Sequence, residues 1–180
     1  PWPSMARSIW GDHQRYKKTY FSAYENKYFT GDGALRDTAG YYRITGRVDD
    51  VIIVSGHNLG TAPIEDAINE HPAVAESAIV GFPDDIKGNA LYGFVILKKT
   101  VKDGKQENLR KEINQLITEH IGPIAKLQKI QFTSGLPKTR SGKIMRRILR
   151  KIACNEIEHL GDTSTLLNPE VVKEIIEQVL

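Results

Sequence analysis

After residue 46, apolar positions alternate between the two-residue spacing of strands and the three-to-four-residue spacing of helices. Short runs rich in β-branched and aromatic residues predict strands over 50–55, 74–82, 90–98 and 129–133, with a turn over 83–88. Helical spacing predicts helices over 63–70, 106–121, 143–153 and 169–180, the last capped by Asn168. Elements in this order predict an α+β fold, with helices covering a small three-stranded sheet.

Two of the predicted helices are amphipathic. The stripe of the helix over 106–121 consists of Leu109, Ile113, Leu116, Ile117 and His120. The inward residues of the helix over 143–153 are Ile144, Met145, Ile148, Leu149 and Ile152. Its outward residues are the cations Arg146, Arg147, Arg150 and Lys151. Each helix is therefore expected to pack one face on the sheet and to expose the other to water.

Aromatic residues are concentrated before Thr45, which indicates a boundary near Gly46. Aromatic side chains bury large areas, so this segment is expected to pack against structure upstream of the chain. The alternative is that it covers the rest of the chain. The early aromatics are Trp2, Trp10, Tyr16, Tyr20, Phe21, Tyr24, Tyr28, Phe29, Tyr41 and Tyr42.

Composition narrows the class of protein. With 180 residues, 40% hydrophobic and 26% charged, the chain is typical of soluble globular proteins. No apolar run approaches the roughly 20 residues of a membrane span, and the first residues do not resemble a signal peptide. An intracellular, cytoplasmic protein is therefore expected. The single cysteine, Cys154, cannot form an internal disulfide, and the net charge of +3 is too small to indicate a partner.

The segment 135–143 is the strongest candidate for chemistry. It superficially resembles a phosphate loop, but its glycine spacing differs and Ile144 replaces the magnesium-binding hydroxyl. It presents Lys138, Arg140 and Lys143 on a flexible glycine hinge without a compensating acid. Such a loop can bring an ammonium group to a developing negative charge. A solvated cationic surface is the alternative interpretation.

Two polar segments near the boundary are weaker candidates. Asp32 follows a tight glycine turn, where a carboxylate can accept hydrogen bonds from two ribose hydroxyls. Arg47 precedes the two acids Asp49 and Asp50, which suits either a ligand contact or a hinge. The alternative is a surface ion pair worth roughly 0 to 1 kcal/mol.

Together and in this order, these segments resemble the adenylate-forming enzymes: acyl-CoA synthetases, luciferases and peptide-synthetase adenylation domains. The resemblance rests on 28–32 (Tyr-Phe-Thr-Gly-Asp), 46–50 (Gly-Arg-Val-Asp-Asp) and 137–143 (Pro-Lys-Thr-Arg-Ser-Gly-Lys). The segments 54–57, 136–153 and 160–166 resemble more closely the acetyl-CoA synthetase branch. The resemblance implies that 1–48 is a short β-rich remnant at the end of a large N-terminal AMP-binding domain. It also implies that 49–180 is a mobile C-terminal lid, with the hinge at Asp49.

The resemblance also implies a reaction in two halves. Acetate attacks the α-phosphate of MgATP to give acetyl-AMP and pyrophosphate, and CoA then displaces AMP to give acetyl-CoA. The lid rotates between the halves so that one pocket serves two transition states. The phosphate loop and acyl pocket are expected upstream, so this piece by itself is expected to be inactive. The chain lacks an initiator methionine, which suggests a fragment.

Residue roles follow from the matched positions. Asp32 would accept the ribose hydroxyls, Arg47 would contact the nucleotide, and Ser55 and Gly56 would line the CoA pantetheine path. Lys143 would stabilise the carboxylate and α-phosphate during adenylation, and acetylation by a lysine acetyltransferase, reversed by a deacetylase, would remove its charge.

Other matched positions are less typical. A structural Mg²⁺ is implied at Asn69, His71 and Val74, although His71 could equally be a core histidine. Asn58 stands where many relatives have an arginine for the ATP phosphates. Thr118 stands where an arginine often meets the CoA nucleotide phosphate.

Two alternatives stay open at this point. The acid could be propionate or a longer acyl group, because the acyl pocket is not in this sequence. In a different class, the cations of 138–151 could bind nucleic acid or acidic lipid. The low net charge and the lack of interleaved aromatics favour the enzyme, with neither nucleic acid nor membrane as a partner.

Overall fold

The first unit of the chain combines a helix with a hairpin. In the computed structural model, which describes residues 3–99 and 106–179, contacts divide the chain into the units Pro1–Asp49 and Asp50–Leu180. The first contains α1 (His13–Phe21) and the antiparallel strands β1 (Asp32–Arg36) and β2 (Tyr42–Arg47). The nine-residue α1 was not predicted; Asp12 caps it by accepting a hydrogen bond from the Arg15 amide at 2.9 Å.

The aromatic segment is partly self-packed. Tyr16 is buried, and the Tyr20 and Tyr28 rings stack with their centroids 4.9 Å apart. Trp10, Tyr41 and Tyr42 are largely exposed. Packing against upstream structure stays a prediction for these exposed rings. Trp2 lies outside the described residues, as does Leu180 of the last predicted helix.

The second unit has an α+β architecture, as the pattern of apolar positions predicted. Its helices are α2 (Thr61–Asn69), α3 (Gln106–His120), α4 (Arg146–Ala153) and α5 (Glu170–Val179). Its strands are β3 (Ile52–Val54), β4 (His57–Leu59), β5 (Val74–Asp84), β6 (Gly88–Leu97) and β7 (Leu127–Thr133). Short 3₁₀ turns occur at Val48–Asp50, Pro123–Ala125 and Ile157–His159.

The sheet has the order β5-β6-β7. β5 and β6 are antiparallel, whereas β6 and β7 are parallel and are separated in the chain by α3, as a crossover connection requires. The β5–β6 turn is shorter than predicted, because both strands extend into 83–88. β3 and β4 form a separate small hairpin.

The side chains of the sheet point to its two faces and contribute to two hydrophobic cores. On one face, Val80 and Phe94 pack with Ile148 and Leu149 of α4 and with Ile175 of α5. On the other face the core residues come from β3, α2 and α3 as well as the sheet. They include Val54, Ile64, Ile68, Ile79, Val95, Ile113 and Ile117, all at most 2% exposed. Helices therefore cover both faces of the sheet.

Three details of the helix predictions are wrong. His120 is exposed: it is the last residue of α3, and its Nε2 lies 3.6 Å from Glu70 Oε2. α4 begins at Arg146 and not at residue 143, because Lys138 and Ile144 form an antiparallel bridge that keeps the preceding chain extended. The Asn168 side chain does not cap α5, since its amide bonds the main chain of Leu136 and Lys138. In the described part of the chain, no helix is long and apolar enough to cross a membrane.

Candidate functional site

Asp32 and Arg47 are brought together by the β1–β2 hairpin, in which they are directly paired across the strands. Arg47 Nη1 lies 3.4 Å from Asp32 Oδ1, and Arg47 Nε lies 3.1 Å from Asp49 Oδ1. All three side chains are substantially exposed. The hairpin thus presents a carboxylate and a guanidinium to the solvent side by side, which suits a ligand with hydroxyls and phosphates.

The glycine turn before Asp32 shapes this cluster. Gly31 has a φ of +79°, which a glycine adopts without strain, and its carbonyl accepts a hydrogen bond from the Val48 amide at 2.9 Å. A Cβ at Gly31 would lie 3.0 Å from Arg47 Nη2. A glycine at this position therefore lets the arginine lie across the turn.

Ser55 and Gly56 form the tight turn of the β3–β4 hairpin. Both have positive φ values, 48° and 81°, the backbone conformation of a type I′ hairpin turn. Outside 55–57, no atom of the described residues lies within 4 Å of the position that a Cβ at Gly56 would take. Asn58 follows on the exposed strand β4. The turn is thus an open loop along which a thin ligand could pass close to the backbone.

The hairpin turn is held by the main sheet. The Ser55 amide donates to the Lys87 carbonyl at 2.9 Å, and Asn89 Nδ2 donates to the Ile53 carbonyl at 3.0 Å. Asp84 accepts hydrogen bonds from the Lys87 amide, Gln128 Nε2 and the Ile86 amide, which hold its carboxyl pKa below the ordinary value. The Ser55–Gly56 turn is therefore supported although its side chains are exposed.

Lys143 lies at the end of a tightly closed loop. The Thr139 amide donates to the Lys143 carbonyl at 2.9 Å, and the Lys143 amide donates to Thr139 Oγ1 at 3.1 Å. Gly142 supplies the positive φ, +82°, that the turn needs. The Lys143 side chain is exposed and has no ion pair with any residue in 3–99 or 106–179. The Lys143 ammonium group is therefore held on an ordered backbone without an ion pair to the described residues.

The prediction that this cationic segment lacks compensating acids is wrong. Lys138 Nζ lies 2.7 Å from Glu76 Oε2 on β5. Arg146 and Arg150, predicted to face outward, pair with Glu65 at 2.6 Å and with Asp50 at 3.2 Å. Three of the cations thus have acidic partners inside the domain, which leaves a weaker basic surface for nucleic acid or acidic lipid than the sequence suggested.

Glu65 is the least expected charged group of the domain. Its residue is 8% exposed, and Oε1 accepts a hydrogen bond from the Ile79 amide at 2.8 Å. Burial raises the pKa of the Glu65 carboxyl, an effect that the Arg146 hydrogen bonds oppose. Its position beside Ile64 and one turn before Ile68 was the available sequence signal for a buried acid.

The side chains at the implied magnesium positions are bonded within the protein. Asn69 Oδ1 accepts a hydrogen bond from Ser77 Oγ at 2.9 Å, and His71 Nε2 lies 3.1 Å from Glu112 Oε2. His71 is buried, as the core interpretation expected. Among the described residues, no group of three or more His, Cys, Asp or Glu could hold a metal ion. Main-chain carbonyl oxygens are therefore the donors that Asn69, His71 and Val74 could offer.

Thr118 borders a cleft of about 520 Å³ on α3 that is also lined by Lys111 and Lys126. Its hydroxyl donates to the Asn114 carbonyl at 2.7 Å, so it is already committed to the helix backbone. Thr118 therefore does not replace the charge of an arginine. Among the described residues that line the cleft, the cations are the two lysines and Arg110.

Residues 63–143 match the AMP-binding enzyme C-terminal domain. The match ends on Lys143. Among solved structures, an anthranilate CoA ligase in complex with anthranoyl-AMP is similar to 84% of this chain and 28% of its own, at 32% identity and a TM-score of 0.73.

Along nearly its whole length, the chain is similar to acetyl-coenzyme A synthetases. It is 61% identical to that of Syntrophobacter fumaroxidans and 58% identical to that of Desulfatibacillum aliphaticivorans, each over 98% of this chain. The chain spans 27% of the length of these relatives, as a C-terminal portion would. The resemblance to the acetyl-CoA synthetase branch is thereby confirmed.

Proposed function

We propose that the chain is the C-terminal part of an AMP-forming acetyl-CoA synthetase. The full protein would convert acetate and ATP to acetyl-AMP and pyrophosphate, and would then transfer the acetyl group to CoA. The observation that carries this proposal is Lys143, an exposed cation on an ordered loop within the matched domain that has no ion-pair partner among the described residues. Whole-length similarity to acetyl-coenzyme A synthetases supports acetate as the acid.

In the adenylation half, Lys143 acts by electrostatic stabilisation. As a carboxylate oxygen attacks the α-phosphorus, negative charge accumulates on the phosphoryl oxygens and the carboxylate loses its own. An ammonium group on an ordered loop needs little reorganisation to stabilise that charge. Lys143 is also the proposed target of a lysine acetyltransferase and deacetylase, since acetylation would remove its charge and abolish the stabilisation.

Asp32 and Arg47 bind the nucleotide in this proposal. The Asp32 carboxylate accepts hydrogen bonds from the ribose hydroxyls, and Arg47 contacts the nucleotide from the neighbouring strand. Asp49 is the hinge whose backbone dihedrals absorb the lid rotation, and its hydrogen bond with Arg47 links the hinge to the nucleotide cluster.

In the thioester-forming half, the Ser55–Gly56 turn guides the pantetheine arm of CoA. Its positive φ values expose the backbone, so an extended thin ligand can approach without meeting a side chain at residue 56. Asn58, on the next strand, offers a neutral contact to the ATP phosphates where relatives have an arginine.

The remaining partners follow from the reaction. Mg²⁺ would accompany ATP and neutralise phosphate charge, while a Mg²⁺ at Asn69, His71 and Val74 would be held through main-chain oxygens and is assigned no step. The chain would act together with the N-terminal AMP-binding domain of the same protein, in the cytoplasm.

The test of this proposal is acetate-dependent exchange between ATP and pyrophosphate in the full-length protein. Exchange is expected with acetate, and AMP and acetyl-CoA are expected when CoA is added. A clear preference for propionate would change the assigned acid while keeping the reaction class. Absence of exchange with any short acid, together with tight nucleic-acid binding at physiological salt, would overturn the proposal.

Asp32→Ala in the full-length protein is expected to raise the KM for ATP by about tenfold or more, because hydrogen bonds from ribose to a charged acceptor are lost. Steady-state kinetics with ATP as the varied substrate measure this. Asp32→Asn is the matched control, since it keeps one acceptor oxygen and is expected to lose less. An unchanged KM in the alanine variant would remove Asp32 from the nucleotide site.

A further inference from the structure

A second segment of the chain folds against the loop that carries Lys143. We call residues 136–145 the lysine loop and residues 160–168 the tail segment. The tail segment is internally ordered: Asp162 Oδ1 accepts hydrogen bonds from the Ser164 amide and hydroxyl at 2.9 and 2.7 Å. Leu166 is buried in the core between the sheet and α4 and α5. Leu166 therefore anchors the end of the tail segment beside the lysine loop.

Asn168 joins the two segments with both ends of its amide. Its Oδ1 accepts a hydrogen bond from the Lys138 amide at 3.1 Å, and its Nδ2 donates to the Leu136 carbonyl at 2.9 Å. The neighbouring Leu167 amide donates to the Lys138 carbonyl at 2.9 Å. Both main-chain groups of Lys138 are thus bonded by two consecutive residues of the tail segment.

This attachment reaches Lys143 through the lysine loop itself. Lys138 is bridged to Ile144, the residue after Lys143, and the Met145 amide donates to the Pro137 carbonyl at 2.8 Å. The Lys138 ammonium is fixed separately by Glu76. Because Lys138 is held from three directions and paired across to Ile144, the base of the loop is fixed on both sides of Lys143.

Gly135 precedes the lysine loop and lies close to this contact. A Cβ at Gly135 would lie 3.1 Å from Val171 Cγ2 and 3.4 Å from Asn168 Nδ2. A side chain at residue 135 would therefore press mainly on Val171 and would touch the Asn168 amide at an ordinary van der Waals distance.

We propose that Asn168 is a positioning residue for Lys143, and that the tail segment serves to hold the lysine loop rigid for the adenylation half of the reaction. This inference rests on the proposed function. Electrostatic stabilisation by Lys143 requires its ammonium at a defined place relative to the reacting phosphorus, and small displacements of positioned groups cost large factors in rate. In the proposed function the lid rotates between the half-reactions and would carry Lys143 away, so the thioester-forming half is not expected to depend on the contact.

The test compares the two half-reactions in full-length Asn168→Ala. Acetate-dependent ATP/pyrophosphate exchange is expected to fall about tenfold in kcat, because two hydrogen bonds to the loop are lost. The KM for ATP and the rate of acetyl-CoA formation from supplied acetyl-adenylate are expected to stay unchanged. Asn168→Asp keeps the acceptor for the Lys138 amide but loses the donor to Leu136, and should fall between the wild type and the alanine variant.

Leu167→Ala is the matched control, because the Leu167 side chain is exposed and its main-chain donor is kept. This variant is expected to behave as the wild type. Equal losses of both half-reactions in Asn168→Ala, in parallel with loss of folded protein, would reduce Asn168 to a structural role and overturn the proposal.

Hydrogen–deuterium exchange separates this inference from the proposed function. The amides of Lys138, Gly142 and Lys143 are expected to exchange faster in Asn168→Ala than in Leu167→Ala. If their exchange is unchanged, Asn168 does not position the loop, whatever the activity. If it rises while the wild type shows no acetate-dependent exchange of pyrophosphate, the loop is held as described and the proposed function fails instead.

Discussion

Replacing Lys143 by alanine in the full-length protein is expected to lower acetate-dependent ATP/pyrophosphate exchange by about 100- to 1000-fold, the range for removal of one preorganised electrostatic group. Acetyl-CoA formation from supplied acetyl-adenylate should continue at nearly the wild-type rate. The asymmetry is expected because, in the proposed mechanism, the ammonium stabilises charge that develops only while acetate attacks the α-phosphate. Radiolabelled pyrophosphate exchange and a thioester assay measure the two halves separately.

Arg140→Ala is the matched control for this prediction. Arg140 is an exposed cation three residues earlier on the same loop. If general positive charge attracted ATP, both variants would lose exchange and both losses would shrink at high salt. Normal exchange in Lys143→Ala would contradict the role proposed for Lys143, whereas loss in Lys143→Ala alone would support it. Lys143→Gln, which resembles acetylated lysine in charge, should behave as the alanine variant does.

Glu65→Ala is expected to destabilise the 180-residue chain by about 3–5 kcal/mol, the usual cost of removing one partner of a buried ion pair. Arg146 would lose its 2.6 Å partner while remaining mostly buried, and the Ile79 amide of the central sheet would lose its 2.8 Å acceptor. Urea unfolding followed by far-UV circular dichroism measures this difference in the free energy of unfolding.

A double variant tests whether the cost comes from the unpaired charge. Glu65→Leu with Arg146→Met should be less destabilising than Glu65→Leu alone, because it leaves no uncompensated guanidinium. A double variant as unstable as the sum of the two single ones would show that the pair contributes little coupling energy.

The stability of the protein is expected to depend on pH through the Glu65–Arg146 pair. Burial raises the pKa of the Glu65 carboxyl, so the folded state binds its proton more tightly than the unfolded state. The stability that arises from this shift is present below the unfolded pKa and is lost as pH rises through the folded pKa. On lowering the pH from 7 towards the ordinary glutamate range, the wild type should therefore gain stability relative to Glu65→Gln, which has no such proton. A relative loss would mean that the Arg146 pair outweighs burial.

The sheet and most helices could be predicted because their information is local. Val80, Phe94 and Ile113 lie at period-two or helical positions whose burial is visible in the sequence, and the structure buries them accordingly. The chemical motifs are also contiguous, so Asp32, Arg47 and Lys143 could be selected without knowing the fold. Their roles stay predictions until the half-reactions are measured.

The predicted helix starts were wrong where contacts with other residues override the helical preference of the local sequence. The helical pattern from 143 onward is genuine, yet the bridge between Lys138 and Ile144 keeps the first three residues out of α4. Asn168 matches a capping residue by type and position. Its side-chain amide instead bonds the Lys138 amide and the Leu136 carbonyl of the lysine loop, 30 and 32 residues away.

The sequence alone determined the alternation of elements, the α+β class and the candidate residues, because each depends on neighbours within a few positions. Tertiary structure decided which charges are neutralised: Arg146 meets Glu65 across 81 positions and Lys138 meets Glu76 across 62. The spacing of residues along one helix does not reveal which residue of another element will be their partner. Among the described residues, Lys138, Arg146 and Arg150 have acidic partners, whereas Lys143 and Arg140 are exposed without an ion pair, and only the folded chain makes this distinction.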